Sequence, residues 1–339
     1  MSSRPHVAKA HGKVLLFTLL ISLSFPIGSA LTAVLDPLVV TWARYLLASL
    51  IFVGVLGYQG GLVQPSLRDL GRYTLISLPA LCYFVAMFVA LQETSALDAS
   101  ALYTTVPLIS ALAGMVILRR AIGLGMGLAL LGGMVAAALI IFRGDLGLVA
   151  NLSLTPGNRI YLLGCVAMAL NPILIKRYYR GESFLHLTGW TLICATVLLT
   201  PVALPGLLET DWSRVSLPVG LGLGYLALFA TALSFLLFQQ GSVALQPEQV
   251  SAYTYLIPVM VLLTGMLTGE TVHWEQVGWG GGGVLLTMVV MVLLPLHAGK
   301  RGGGSEGPPV ALINQGVRHE KNPDLGTPWQ VELGGRVFV

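Results

Sequence analysis

Apolar runs constrain this chain more than any other feature. Ten stretches near 14–34, 38–58, 73–92, 99–118, 121–142, 160–177, 185–204, 219–239, 250–268 and 276–296 carry few charges and follow one another closely. A helix needs roughly 20 apolar residues to cross a hydrocarbon core about 30 Å thick. Only helices or closed barrels satisfy their backbone polar groups in lipid, and these runs have the length of helices. The expected fold class is therefore an all-α membrane protein with ten transmembrane helices. Composition agrees, with 55% hydrophobic and 10% charged residues against roughly 25% charged in soluble domains.

The first run follows Arg4, Lys9 and Lys13, which opens a competing reading as a cleaved secretory signal. Its length exceeds the usual core of about 7–15 residues in a signal peptide, and this favours a retained helix. The formal charge of +4 would suit a nucleic-acid partner, but the positions of the cations argue otherwise. With a cytoplasmic N-terminus, the inner segments hold twelve: Arg4, Lys9, Lys13, Arg68, Arg72, Arg119, Arg120, Lys176, Arg177, Arg180, Lys300 and Arg301. The outer loops hold Arg143, Arg159 and Arg214. That asymmetry predicts both termini in the cytoplasm. The expected partners are thus a lipid bilayer and a small molecule, not nucleic acid. Cys82, Cys165 and Cys194 all fall within spans and read as small buried hydrophobes, with neither disulfide nor metal spacing. No cofactor motif is present.

Spans 4 and 9 share a costly feature. "ASALYTTVPLISALAG" places Pro107 within an apolar run, and "VSAYTYLIPVMVLLTG" does the same with Pro258. Proline removes an amide donor and clashes with the preceding turn, costing a soluble helix about 3 kcal/mol. Aligning the two prolines sets an offset of 151 residues, and Ser100–Gly132 then runs against Ser251–Gly283 without gaps. Eight positions are identical, including the prolines and the pairs Gly114/Gly265, Gly127/Gly278 and Gly132/Gly283. "LSFPI" and "ALNPI" likewise place Pro26 and Pro172 in the first helix of each half. Each half holds an odd number of spans, so the second enters the membrane in the opposite sense, giving two inverted five-helix repeats. The expected segments are a cytoplasmic N-terminus (1–13), a first repeat (14–142), a periplasmic linker (143–159), a second repeat (160–297) and a disordered cytoplasmic tail (298–339). The closing "VELGGRVFV" has the pattern of a short strand. The glycine-dense spans 5 and 10 suit close helix packing. A phosphate loop is the rival reading, but no GxxxxGK[ST] occurs.

Several stretches together resemble the drug/metabolite transporter superfamily in its ten-helix, EamA-type form. They are "ARYLLASLIF" at span 2, "ALQETSALDASALYTTVPLISALAG" across spans 3 and 4, and "ALQPEQVSAYTYLIPVMVLLTGMLTGE" across spans 8 and 9. The resemblance covers residues 12–297. It departs from the pattern at Leu118-Arg119, where the second repeat has Gly269-Glu270. It implies export or exchange of small metabolites across the bacterial inner membrane, through a central cavity lined by helices 1, 3, 4, 6, 8 and 9. Because members carry amino acids, drugs, nucleotide sugars or sugar phosphates, the resemblance alone names no substrate.

The polar inventory narrows the choice. Glu93, Asp98, Glu248 and Glu270 lie at span ends, and no histidine sits near a span centre. A phosphorylated substrate would call for an Arg or Lys cluster, a hydrophobic-cation pump for a glutamate in span 1, and an intramembrane hydrolase for a nucleophile beside a base. None of these is evident, and no enzymatic activity is expected. The helices implied to line the cavity offer Ser24, Tyr83, Tyr103, Thr104, Asn171, Ser234, Gln239, Tyr253 and Tyr255 as candidate substrate-binding residues. Hydroxyls, amides and ring faces suit a neutral or zwitterionic solute with an apolar group. Amino acids, including aromatic ones, fit best, and the resembling family includes aromatic amino-acid exporters. Drugs or nucleoside-like solutes are the alternative, with an integral membrane enzyme further behind. A Ser or Thr in a span often bonds its own helix instead. Arg44, inside span 2, either snorkels to the interface, caps helix carbonyls or pairs with Asp36 or Glu93 to hold an outer gate. Asn171 beside Pro172 either satisfies carbonyls freed by the proline or faces the solute. Pro26, Pro107, Pro172 and Pro258 are candidate hinges, with Thr104 placed to bond backbone freed by Pro107. Oligomeric state and energy coupling stay open, a monomer being compatible with the sequence. Replacing Pro107 and Pro258 together with alanine should slow transport more than it lowers protein abundance; full transport activity in the double variant would refute the hinge.

Overall fold

The computed structural model describes residues 4–60, 64–119, 121–141, 156–267, 278–287, 289–290, 331–333 and 336–338. Within residues 1–294 every described element is helical: α1 (Arg4–Ser22), α2 (Ser24–Thr32), α3 (Pro37–Tyr58), α4 (Leu67–Ala90), α5 (Ala96–Tyr103), α6 (Val106–Ile117), α7 (Leu124–Ile141), α8 (Pro156–Tyr178), α9 (Phe184–Glu209), α10 (Leu217–Ala227), α11 (Ser234–Ala244), α12 (Pro247–Ala252), α13 (Leu256–Leu267) and α14 (residues 278–287). A π turn, Leu228–Leu233, joins α10 to α11, and a 3-10 turn, Tyr253–Tyr255, joins α12 to α13. Residues 295–339 form a separate unit. There β1 (Val331–Leu333) pairs antiparallel with β2 (Arg336–Phe338), Glu332 standing opposite Val337. The expectations for Gly269-Glu270, for 143–155 of the linker and for 298–330 of the tail fall outside the described residues. Helix α8 begins ahead of span 6, and α1 already at Arg4.

Seven helical segments among the described residues are long and apolar enough to cross a membrane: Val7–Thr32, Pro37–Tyr58, Leu67–Ala90, Pro156–Tyr178, Phe184–Glu209, Leu217–Ala244 and Pro247–Leu267. Val106–Ile117 and Leu124–Ala136 are shorter apolar helices. The outer surface is itself apolar, with Leu50, Val116, Leu163, Val197 and Trp279 all exposed. This inverts the usual arrangement of a soluble protein and suits contact with lipid.

Local chemistry fixes the helix starts. The Asp36 carboxylate accepts from the amides of Leu38 (2.8 Å) and Val39 (3.2 Å), and Pro37 follows as the first helical residue, where its missing N–H costs nothing. Ser66 caps α4 by accepting from the Asp69 amide at 3.2 Å.

The prolines act in two ways. The spans containing Pro26, Pro107 and Pro258 are interrupted upstream of the ring: at Leu23, at Thr104–Thr105 and at the 3-10 turn Tyr253–Tyr255. Hydroxyls occupy carbonyls at two of these breaks. Thr105 Oγ1 donates to the Leu102 carbonyl at 2.8 Å, and Thr254 Oγ1 to that of Ser251 at 2.7 Å. Pro107 thus stands at the start of α6 instead of kinking one continuous helix. Pro172 behaves differently, since α8 runs unbroken through it, as α4 does through Pro79.

A broad core cluster draws on α1, α3, α4, α8, α9 and α11. A second unites Ala111, Leu130, Ala136, Tyr255, Leu256 and Val284 from α6, α7, the 3-10 turn, α13 and α14. Helices α4 and α8 make the most extensive helix pair among the described residues. Gly164 allows their approach, since a Cβ there would stand 2.7 Å from that of Ala86 and 3.3 Å from the Tyr83 Cα. At one end of this pair Arg72 meets Glu182 and donates to the Tyr178 carbonyl at 2.9 Å, while Asp69 bridges Arg72 at 3.3 Å and Arg180 at 3.2 Å. Replacing Gly164 with valine should overpack this seam at a cost of about 1–3 kcal/mol, read as a lower unfolding temperature in detergent. Gly220→Ala, where an added Cβ meets nothing within 4 Å, should not lower that temperature, alanine being the better helix former.

Candidate substrate cavity

Residues from six helices converge on one internal cavity. Helix α1 supplies Phe17 and Ile21, one turn apart; α4 supplies Ile76, Ser77, Ala80 and Phe84; α5 supplies Tyr103; α8 supplies Met168 and Asn171; α9 supplies Thr191; α11 supplies Phe235, Phe238 and Gln239. These spacings of three and four residues bring the contributing positions of each helix to one face. The space inside is about 20 Å³, room for a water or two and too little for an organic solute. A solute can occupy it only after the surrounding helices separate.

Aromatic rings build the walls. Phe17 and Phe238 lie 4.7 Å apart, and Phe84 stacks on Phe235 at 5.8 Å with an interplanar angle of 25°. Tyr45 presents an edge to both Phe84 and Phe235. Tyr103 packs on Tyr83 at 4.8 Å, and the Tyr83 hydroxyl meets that of Tyr161 at 3.0 Å.

Among the described residues no Asp, Glu, His, Lys or Arg lines the cavity, and its polarity comes from neutral groups. The Asn171 amide donates to the Ile76 carbonyl of α4 at 2.9 Å. Its predicted service to carbonyls freed by Pro172 is thus replaced by one across the helix seam, although the residue does line the cavity. Thr188 Oγ1 donates to Gln239 Oε1 at 2.7 Å, and Gln239 Nε2 donates to Thr191 Oγ1 at 3.0 Å. Buried amides held this way add polarity without leaving their bonded groups unpaired.

Of the nine candidate binding residues, Tyr103, Asn171 and Gln239 line the cavity. Tyr83 stands one layer behind, against Tyr103. Ser234 is buried a turn from Phe238 and donates to the Thr231 carbonyl at 3.4 Å. Thr104 is buried at the break between α5 and α6, and Ser24 is buried with a hydroxyl that meets no partner. Tyr253 contacts His11 Nδ1 at 2.9 Å, near the N-terminal end of α1. Tyr255 lies in the second cluster and donates to the Leu130 carbonyl at 2.8 Å, so its hydroxyl serves the seam with α7.

Arg44 is fully buried and does not snorkel. Nε donates to Thr231 Oγ1 at 2.7 Å and Nη2 to the Ala230 carbonyl at 2.8 Å, while its central carbon lies 4.1 Å from the Phe84 ring centre. Carbonyl capping is therefore its arrangement. The suggested acidic partners are committed elsewhere, Asp36 to the start of α3 and Glu93 to the Gly157 amide at 2.8 Å.

Sequence inspection missed Phe17, Phe84, Phe235, Phe238, Thr188, Thr191 and Tyr161. Phenylalanines in an apolar span carry no mark separating a cavity wall from a lipid face. The "LTGWT" spacing of Thr188 and Thr191 was a usable signal, but it sits on span 7, outside the helices implied to line the cavity.

The sequence matches the model of the EamA-like transporter family twice, at residues 9–142 and 155–293. It is 24% identical over 236 residues to the uncharacterized transporter YyaM of Bacillus subtilis (strain 168), covering 69% of this chain and 77% of that one. It is 32% identical over 132 residues to protein PecM of Dickeya dadantii (strain 3937), covering 37% and 44% respectively. A solved crystal structure shares the fold with a TM-score of 0.69 over 86% of this chain and 99% of the other, at 15% identity.

The paired tyrosine hydroxyls give a direct check on the cavity's supporting layer. Tyr83→Phe and Tyr161→Phe should each destabilise the protein by about 1 kcal/mol, and the double variant by less than their sum. Strict additivity in that cycle would show that the hydroxyls do not interact.

Proposed function

Because this chain belongs to the EamA-like transporter family, a family of multi-pass membrane transporters, we propose that it exports small neutral or zwitterionic metabolites, above all amino acids, including aromatic ones. The observation that carries this reading is the cavity itself, in which Phe17, Phe84, Tyr103, Phe235 and Phe238 surround the neutral groups of Asn171, Thr191 and Gln239. Rings offer stacking surface, and amides and hydroxyls orient a polar end without demanding a net charge.

We further propose ten spans arranged as two inverted repeats, residues 14–142 and 160–297, joined by an outer linker and flanked by cytoplasmic termini in the bacterial inner membrane. The double family match, the 151-residue proline offset and the twelve-to-three cation asymmetry support that arrangement. The repeats then rock about the central cavity, opening it to each side in turn. The breaks before Pro26, Pro107 and Pro258 are places where helix halves can reorient, whereas α8 runs unbroken through Pro172. The resting volume of about 20 Å³ fits a state closed around little more than solvent.

Flat drugs or nucleoside-like solutes form the second reading, favoured by the same aromatic walls, which stack any planar ring. Purified protein in liposomes loaded with unlabelled solute should accumulate labelled tryptophan, phenylalanine or leucine by exchange, and Gln239→Met should reduce this at least several-fold. Exchange of nucleosides in the absence of any amino-acid exchange would replace the first reading with the second.

A further inference from the structure

Arg44 is anomalous among the buried charges. Arg72 has Glu182 and Asp69 as counter-ions, whereas among the described residues no carboxylate lies within ion-pair distance of Arg44. Two of its nitrogens are held by the π turn, and Nη1, fully buried, has no acceptor. The π turn is shaped to receive it: Thr231 Oγ1 accepts from Arg44 while donating to the Leu226 carbonyl at 2.7 Å. Such turns are rare and cluster at functional sites. Phe84 and Phe88 contribute ring faces, their centres 4.1 Å and 5.5 Å from the guanidinium carbon. The fold thus retains a charge in an apolar region, at a cost, and leaves one of its donor groups unanswered.

Two further unpartnered donors surround the same ring. The hydroxyls of Tyr45 and Tyr103 are buried without hydrogen bonds. Tyr45 meets Phe84 edge-on, and Tyr103 reaches it through Tyr83, whose ring lies 4.9 Å from that of Phe84. Phe84 itself lines the cavity and stacks on Phe235. One amino group of a buried guanidinium and the Tyr45 hydroxyl, both without acceptors, therefore stand beside the Phe84 ring that walls one side of the cavity, with the unpartnered Tyr103 hydroxyl one ring further on.

We propose that Arg44 is the anion-binding element of the transport site, and that Nη1 receives the carboxylate of a zwitterionic solute when Phe84 and Phe235 part. This rests on the amino-acid reading above and deepens it. One guanidinium with one free amino group matches a singly charged carboxylate; a phosphate dianion calls for more cationic donors. The solute's ring takes the aromatic walls, and the amide oxygen of Asn171, whose nitrogen is held by the Ile76 carbonyl, is left for its ammonium group. Arg44 is then a specificity-determining residue, separating carboxylates from their uncharged analogues.

The test is equilibrium binding to the purified full-length protein in detergent, with L-tryptophan, indole-3-propionate and L-tryptophanamide as probes. The wild type should bind the two carboxylates roughly tenfold or more tightly than the amide. Arg44→Gln should bring that ratio close to one, and Arg44→Lys should restore part of it. Equal binding of carboxylate and amide by the wild type overturns the proposal, even where Arg44→Gln fails to fold, as does a folded Arg44→Gln variant with an unchanged ratio. Failure of both carboxylates to bind overturns it as well. Carboxylate-selective binding without amino-acid exchange in liposomes would instead remove the exporter reading and leave the anion site standing.

Discussion

In hydrocarbon a backbone amide or carbonyl has no water to fall back on, so each must find a partner within the protein. That constraint underlies most of this structure. It explains the dominance of long helices, the hydroxyls of Thr105 and Thr254 on carbonyls beside helix breaks, and the Asn171 amide on the Ile76 carbonyl. It also makes the interruptions informative. Breaks at Leu23, at Thr104–Thr105 and at Tyr253–Tyr255 sacrifice backbone hydrogen bonds in apolar surroundings, and the second follows directly on Tyr103, which lines the cavity. Prolines in α4 and α8 lie in helices that stay continuous, and these two helices form the closely packed seam at Gly164. The same residue type thus occurs both at interruptions and within continuous helices of the bundle.

The cavity shows a related economy in its electrostatics. Its lining is neutral, with polar groups already tied into small networks such as Thr188–Gln239–Thr191. A polar group that is partly satisfied at rest does not oppose closure around an empty site. The charge lies one aromatic ring away, at Arg44 over Phe84. Rings shield the guanidinium from the cavity while their π faces offset part of its desolvation. The double family match places these features in a transporter.

Much of the architecture was legible in the sequence. Run length and scarcity of charge indicated helices of membrane-crossing length, because a hydrocarbon slab imposes one length scale on every span. The Asp36-Pro37 and Ser66 helix starts follow from local capping chemistry, and the neighbourhoods of the breaks in spans 1, 4 and 9 from the missing amides of Pro26, Pro107 and Pro258. These properties depend on a residue and its near neighbours alone.

The site was legible only in part, because a neutral residue in an apolar helix does not announce which way it faces. Tyr103, Asn171 and Gln239 line the cavity, while Tyr255, at a closely corresponding place in the second half, bonds to Leu130 across a helix seam. Arg44 was visible as a cation within a span, with snorkelling among its alternatives, yet its partners sit 186 and 187 residues away in sequence. The sequence by itself determined the class of protein, its helical elements and the stock of polar side chains. Tertiary structure decided which of those side chains share a cavity and that Arg44 is buried without a counter-ion among the described residues, since both depend on helix rotation and long-range packing that no local pattern encodes.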